Sequence, residues 1–259
     1  MFFLLYALIF VSPAYPHSAP EEMADMKNVL DSRLIVEHFC EYNLYTPKNQ
    51  IPVKKIVRWI GTASFIEHSG EPHLALSAGH IFTCESNLPD DIFDKTFVKS
   101  DVISYTVSSS AFAIFKEKRY TALVVDAGHN GLGDLDIAIL NVILPKSLYH
   151  YHQPILRDEN AYGPGSQVIV VGFTPELGAW RLRSAIIEEI DDQILRIDRS
   201  ACGGNSGGPV LYWHKGKYHI IGIVIATYKT PRCGQIDTTV ATRLTKTLVE
   251  KIDAKTAPK

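Results

Sequence analysis

A long series of short β-rich runs, separated by turn residues, dominates the sequence of this chain. The runs are rich in Val, Ile, Tyr and Phe, and Gly, Pro, Asn and Asp stand between them, as is typical of strands joined by turns. No segment with helical periodicity interrupts the series, which indicates a closed all-β fold. The predicted strands are 56–60, 64–66, 74–80, 102–107, 111–115, 120–125, 137–142, 167–173, 182–190, 193–198, 209–213, 218–226 and 238–242.

Length and composition set the scale of this fold. A chain of 259 residues accommodates one large β domain or two small ones, and 46% hydrophobic residues supply a substantial core. The net charge of −2 gives no indication of nucleic acid or of an anionic membrane as a partner. Near the end of the chain, Leu244, Leu248 and Ile252 follow helical spacing and predict a C-terminal helix.

The N-terminal region differs in character from the rest of the chain. Residues 1–11 are nearly all apolar and are followed by small residues, so 1–19 is predicted to be a secretory signal peptide, with a buried N-terminal strand as the alternative. An apolar stretch of this length is too short to span a bilayer, which takes about 20 residues. The protein is therefore expected to be secreted, extracellular or periplasmic, and free of the membrane after signal removal.

Residues 20–52 form an acidic arm or propeptide in this interpretation. Pro20 followed by Glu21 and Glu22 suits the first turn of a helix. Because apolar residues are sparse there, a short propeptide, a docked arm and a disordered leader all remain open.

A glycine-rich stretch carries the strongest chemical signal. Ser206 lies within Cys202-Gly203-Gly204-Asn205-Ser206-Gly207-Gly208-Pro209, so little bulk surrounds its hydroxyl. Glycines adopt positive φ readily, which lets successive N–H groups turn toward one point. Acyl transfer needs such a nucleophile with donors for the oxyanion. The alternative is a glycine-rich turn with an ordinary serine.

A nucleophilic serine needs a base and an orienting acid. His80 ends the apolar run Leu74-Ala75-Leu76-Ser77-Ala78-Gly79-His80, although a histidine with only a structural role at a strand end has the same pattern. Asp136 is the last charge before the apolar run Ile137-Ala138-Ile139-Leu140, so we expect it to be partly buried. Asp134 stands two residues earlier, where a turn residue is the better interpretation.

Together these three motifs resemble the chymotrypsin-fold (trypsin-like) serine proteases, in the chain order His, Asp, Ser. The resemblance covers roughly residues 55–250 and is strongest for the bacterial-type branch that shares the Gly-Asn-Ser-Gly-Gly-Pro pattern. It implies two six-stranded antiparallel β-barrels, the first over 53–145 and the second over 146–259 with the C-terminal helix. It also implies a serine endopeptidase that acts on protein or peptide substrates.

The resemblance assigns roles to individual residues. Ser206 would be the nucleophile, His80 the general base and Asp136 the acid that orients it, with the backbone N–H groups of Gly204 and Ser206 as the oxyanion hole. Ser200 would form the base of the primary pocket, and its neutral side chain argues against a preference for Arg or Lys. The walls would be Ile225, Ala226, Thr227 and Thr239, which implies small or medium uncharged substrate side chains.

Four cysteines allow three pairings. In the family, a bridge at the position of Cys202 and Cys233 braces the primary pocket, which leaves Cys40 to pair with Cys84. This second bridge departs from the family pattern, in which the cysteine next to the histidine pairs with a neighbouring strand. Two free buried thiols are the alternative for Cys40 and Cys84.

Two other functions share features of this sequence. An α/β-hydrolase esterase shares the Gly-x-Ser-x-Gly pattern, but it needs alternating helices and its acid and histidine after the serine. A protease-fold binding protein without turnover is the other alternative.

His150 and His152 lack a nearby acid or thiol, so neither a metal nor another cofactor is expected. A monomer is expected. Because Asn205 is uncharged, activation should not require burial of a new N-terminal ammonium against it.

Overall fold

Two closed antiparallel β-barrels of six strands each make up most of the described chain. The computed structural model describes residues 20–47, 49–67, 73–84, 102, 104–128, 135–198, 204–227 and 238–257. The fold class predicted from the sequence, all-β with two six-stranded barrels and a C-terminal helix, is confirmed. The predicted signal peptide, residues 1–19, lies outside the described ranges. Within these ranges, no helix combines the length and the apolar character that a membrane span requires.

The first barrel has the strand order β1-β2-β3-β6-β5-β4 and closes through the pairing of β1 with β4. Its longest element is the hairpin of β1 and β2, whose register runs from Arg33 opposite Ser64 to Thr46 opposite Asn49. The strands are β1 (Arg33–Thr46), β2 (Asn49–Phe65), β3 (Leu74–Ser77), β4 (Ser104–Phe115), β5 (Lys118–Ala127) and β6 (Ala138–Val142).

The second barrel has the order β10-β11-β12-β9-β8-β7 and closes through β7 and β10. Its strands are β7 (Gln167–Thr174), β8 (Ala179–Ile190), β9 (Ile194–Ile197), β10 (Pro209–His214), β11 (Lys217–Thr227) and β12 (Thr239–Arg243). Helix α2 (Lys246–Thr256) follows, and the side chain of Thr245 caps its first turn by accepting from the backbone N–H of Leu248. Leu248 and Ile252 are buried, as the helical spacing predicted.

The start of the first barrel differs from the predicted boundary at residue 53. Residues 33–46, assigned from the sequence to an arm or propeptide, form β1 and pair with both β2 and β4. The physical reason is an alternation of period two, in which Leu34, Val36, Cys40, Tyr42 and Leu44 are buried. Removing 20–52 would therefore remove a strand of the barrel.

Helix α1 (Pro20–Asp31) is docked on the second barrel. The backbone N–H of Tyr218 donates to Asp25 Oδ2 at 2.6 Å, and the Tyr218 hydroxyl donates to Glu22 Oε1 at 2.6 Å. Val29 is buried in a core cluster that also contains Ile66 of the first barrel and Leu248 of α2. The helix of this acidic segment is therefore docked on the barrel.

One hydrophobic cluster spans both barrels. It contains Leu76 and Ile139 from the first barrel together with Val171 and Ile223 from the second. Because β3, β6, β7 and β11 contribute to the same core, the ends of these strands are held close together. His80 follows β3 and Asp136 precedes β6, whereas Ser206 lies on the loop that precedes β10.

Candidate active site

His80 lies in a 3-10 turn, Gly79–Phe82, that directly follows β3. The sequence placed it at the end of a strand, and the structure ends that strand three residues earlier, at Ser77. A Cβ atom at Gly79 would lie 3.1 Å from Asp136 Oδ1 and 3.1 Å from the backbone nitrogen of Ile137. The small residue before His80 therefore lets the turn approach the start of β6 closely.

His80 and Asp136 are joined by two hydrogen bonds. The backbone N–H of His80 donates to Asp136 Oδ1 at 2.7 Å, and its ring Nδ1 lies 2.7 Å from Asp136 Oδ2. The His80 side chain is 39% exposed and that of Asp136 is 22% exposed, so the ring faces solvent while the carboxylate is mostly covered. This contact leaves the second ring nitrogen, Nε2, available to another group.

The surroundings of Asp136 favour its charged form. Burial on its own would raise the pKa of this carboxyl, but the hydrogen bond and charge of the His80 ring and the backbone N–H groups of His80 and Gly79 lower it, and the net pKa shift is downward. An ionised carboxylate only accepts hydrogen bonds, so Nδ1 must carry the proton. In the neutral ring, Nε2 then has the free lone pair that a general base needs.

The second barrel also contacts this acid. The Thr242 hydroxyl, on β12, donates to the backbone carbonyl of Asp136 at 3.2 Å. The backbone that carries the carboxylate is thereby tied to both barrels.

Ser206 lies on the tight loop that precedes β10. Gly204 and Gly207 both have φ of +85°, a conformation that favours glycine. Backbone hydrogen bonds fix the loop, since Gly207 N–H donates to Val224 O at 2.7 Å and Gly208 N–H donates to Asn205 O at 2.8 Å.

This loop packs directly against the first barrel. The backbone N–H of Thr62, on β2, donates to the carbonyl of Ser206 at 2.8 Å. A Cβ atom at Gly207 would lie 2.0 Å from the Thr62 carbonyl oxygen and 2.9 Å from the backbone nitrogen of Ala78. Since Ala78 is two residues before His80, the Ser206 loop and the His80 turn are in contact.

Asn205, beside Ser206, is buried. Its Oδ1 accepts a hydrogen bond from the Thr174 hydroxyl at 3.2 Å. A Cβ atom at Gly172 would lie 2.4 Å from Asn205 Nδ2, so the amide lies directly on β7. A neutral side chain with these contacts fits a loop that is ordered by hydrogen bonds alone.

The predicted pocket residues are described in part. Ile225 lies at an irregularity in the pairing of β11 with β12, and it packs against the buried cluster of the first barrel. Thr239 is buried at the start of β12, opposite Thr227. Ala226 and Thr227 belong to β11, but their side chains are not described. Ser200, Cys202, Cys233 and Asp134 lie outside the described residues.

The predicted disulfide between Cys40 and Cys84 is present in the structure. It joins β1 to the segment four residues after His80. His38 Nδ1 lies 3.7 Å from Cys40 Sγ, and the side chains of His38, Cys40 and Cys84 bring potential metal donors together. Because the two sulfur atoms are bonded to each other, they offer no thiolates to a metal.

Sequence reasoning assigned no role to three hydroxyl residues that contact the site. Thr62 and Ser77 are buried and lie on β2 and β3, and Thr242 is buried on β12. A signal was present, because each is a hydroxyl residue inside a largely apolar strand, where a buried polar group needs a partner. The partners themselves lie far away in sequence.

The chain was compared with known proteins. The family model described as the trypsin-like peptidase domain matches residues 61–223, more than half of the chain. A segment of 39 residues is 46% identical to the phenoloxidase-activating enzyme of Bombyx mori and covers 15% of this chain and 8% of that protein.

Solved structures show the same fold. An HtrA-type protease solved with a decapeptide superposes with a TM-score of 0.58 at 12% identity, and the match covers 88% of this chain and 64% of that one. The serine endoprotease from Yersinia pestis gives a TM-score of 0.57 at 16% identity, covering 93% and 67%. With the family match over residues 61–223, the chain belongs to the trypsin-like peptidase family.

Proposed function

We propose that this protein is a secreted serine endopeptidase that cleaves peptide bonds through an acyl-enzyme on Ser206. The observation that carries the proposal is the hydrogen-bonded pair of His80 and Asp136, next to the loop that bears Ser206. The pair supplies a base with a defined tautomer, and the loop supplies a serine with glycines on both sides. Both are needed for nucleophilic catalysis by serine.

In the first step, Ser206 Oγ attacks the carbonyl carbon of the scissile peptide bond while its proton moves to His80 Nε2. The imidazolium that forms is stabilised by the Asp136 carboxylate, 2.7 Å from Nδ1. When the tetrahedral intermediate collapses, the carbon–nitrogen bond breaks and His80 gives the proton to the leaving amine. Water then repeats the sequence on the ester, which releases the acid product and restores Ser206.

The backbone N–H groups of Gly204 and Ser206 are proposed to hold the oxyanion. The positive φ of Gly204 fits this role, since such a conformation turns consecutive N–H groups toward one point. One such donor typically contributes about 3 kcal/mol to lowering the barrier.

For the substrate we propose small or medium uncharged side chains at the primary pocket, formed by Ser200, Ile225, Ala226, Thr227 and Thr239. Within this set, Ile225 is apolar and partly buried and Thr239 is buried. A bridge between Cys202 and Cys233 would brace the pocket. Secretion is supported by the apolar residues 1–11 and by the disulfide between Cys40 and Cys84.

Activity is proposed to be independent of a new N-terminus near residue 51. Ile51 lies within β2, and cleavage there would cut the hairpin that joins β1 to β2. The amide of Asn205 already has a partner in Thr174, and it carries no charge that could neutralise a buried ammonium.

The test is hydrolysis of casein and of a peptide library by Ser206→Ala, with Ser108→Ala as the matched control on the exposed face of β4. Loss of the nucleophile should lower turnover by about a millionfold, while the control stays near wild type. Labelling by a fluorophosphonate should also disappear in Ser206→Ala. A folded Ser206→Ala that still hydrolyses substrate, or a wild type that neither cleaves nor takes the label, would contradict the proposal.

A further inference from the structure

Thr62 is fully buried on β2 and uses every hydrogen-bonding group it has. Its backbone N–H donates to Ser206 O at 2.8 Å, and its hydroxyl donates to Gly204 O at 2.9 Å. The same hydroxyl accepts from the backbone N–H of Phe173 at 2.9 Å, and its carbonyl accepts from the Ser77 hydroxyl at 2.7 Å. One residue of the first barrel therefore holds the Ser206 loop and the end of β7 together.

The two carbonyls that Thr62 binds belong to the two residues whose N–H groups are proposed to form the oxyanion hole. In each of these residues, only one Cα atom separates the bound carbonyl from the N–H group. Fixing the peptide planes after Gly204 and after Ser206 restricts the rotation that would turn those N–H groups away. The donors of an oxyanion hole need this restriction, because their benefit depends on orientation before the charge develops.

We infer that Thr62 is a positioning residue, whose hydroxyl sets the orientation of the Gly204 peptide and hence of the oxyanion hole. The inference rests on the proposed function. The hydroxyl is suited to the role because it donates to one loop and accepts from another at the same time. Valine has nearly the same shape but would leave the Gly204 carbonyl and the Phe173 N–H without this partner.

Serine keeps the hydroxyl, so the two substitutions separate the hydrogen bond from packing. Thr62→Val and Thr62→Ser are to be compared in the full chain with one chromogenic peptide substrate. Thr62→Val should lower kcat about a hundredfold with KM within about twofold of wild type, as expected for a contact that matters in the transition state. Thr62→Ser should stay within about threefold of the wild-type kcat.

A control distinguishes this role from a purely structural one. The Thr256 hydroxyl donates to Ile252 O at 2.7 Å inside α2, so Thr256→Val also removes a buried hydroxyl, but one that serves the backbone of the C-terminal helix. Its kcat should stay at the wild-type value when both variants are measured below their unfolding transitions. Thr62→Val should also weaken binding of a peptide aldehyde, which forms an oxyanion, far more than binding of the corresponding product peptide.

The inference is overturned if folded Thr62→Val keeps its kcat, or if Thr62→Ser loses as much kcat as Thr62→Val. It is also overturned if Thr62→Val weakens the binding of the peptide aldehyde and of the product peptide equally. If Thr62→Val does not fold, Ser77→Ala provides the second test. It removes only the bond to the Thr62 carbonyl and should lower kcat about tenfold, whereas an unchanged kcat would overturn the inference. An active Ser206→Ala would instead refute the proposed function, so the two failures are distinguishable.

Discussion

In the first barrel, His80 and Asp136 are fixed to each other by a side-chain hydrogen bond, whereas the Ser206 loop of the second barrel is fixed by backbone hydrogen bonds together with the Thr62 hydroxyl. The first arrangement depends on the chemical type of two side chains. The second depends on glycines, since a Cβ atom at Gly207 would lie 2.0 Å from the Thr62 carbonyl oxygen. A substitution in the pair of His80 and Asp136 should therefore impair proton transfer while the backbone keeps its conformation. A substitution of a glycine in the Ser206 loop should instead change the conformation of the loop.

The largest effect on the first half is expected from Asp136→Asn. Asparagine preserves the shape, but its amide group can donate to Nδ1 and so favour the wrong tautomer of His80. Turnover should fall by about four orders of magnitude, with the fold retained. The measurement is kcat on a peptide substrate, together with the thermal unfolding midpoint of each variant.

Asp134→Asn is the matched control for this prediction and should leave turnover near wild type. A large loss of turnover in Asp134→Asn combined with a small one in Asp136→Asn would show that the orienting acid has been misassigned.

The dependence of stability on pH supplies a second measurement of the role of Asp136. Because the folded-state pKa of Asp136 is lowered, its charge stabilises the fold above the ordinary carboxyl range, and this contribution is lost as the pH falls through the lowered pKa. The difference in unfolding free energy between wild type and Asp136→Asn should therefore shrink below about pH 4.

A smaller effect on catalysis is expected when the disulfide near His80 is removed. The bridge between Cys40 and Cys84 closes a loop with a sequence separation of 44, which corresponds to about 4 kcal/mol in the chain-entropy description. Replacing both cysteines by serine should lower the unfolding free energy by an amount of this order. Since Asp136 holds His80 directly, kcat of the folded variant should stay within a few-fold of wild type.

Chemical denaturation and kinetics below the unfolding transition measure both quantities. If the folded double variant lost as much turnover as Asp136→Asn, the disulfide rather than the carboxylate would position His80.

Sequence patterns predicted well the features that depend on local residue types. The short β-rich runs predicted most strands of both barrels, and the helical spacing of Leu248 and Ile252 predicted α2. Asp136 could be proposed because it stands directly before an apolar strand, and it is hydrogen-bonded to His80 in the structure. In each case the signal is contained within about ten consecutive residues.

Two features that depend on contacts between distant segments, strand β1 and the role of Thr62, were not predicted. Strand β1 was missed because its first residues were grouped with the acidic, helix-favouring stretch that begins at Pro20. Its Glu37 is buried and paired with Arg58 of β2 and Arg119 of β5. A buried ion pair of this kind can be recognised only when the positions of β1, β2 and β5 in the barrel are known. The role of Thr62 was missed for the same reason, since its hydroxyl contacts Gly204, which is 142 residues away in sequence.

The smallest effect on catalysis is expected from removing helix α1, which tests whether the acidic segment stabilises the fold or blocks the site. The variant should begin at Ser32, because the carbonyl of Ser32 accepts a hydrogen bond from Phe65 N–H at 3.0 Å and belongs to the barrel. It loses the burial of Val29, which contributes about 2 kcal/mol, and the bonds of Asp25 and Glu22 to Tyr218. We expect a lower unfolding free energy with kcat/KM unchanged in the folded variant. A chain that begins at Pro20 is the control, and both are measured with the same peptide substrate. A rise in kcat/KM on truncation would show that the segment is an inhibitory propeptide, and the neutral, hydrogen-bonded Asn205 would then not be sufficient to explain an active loop.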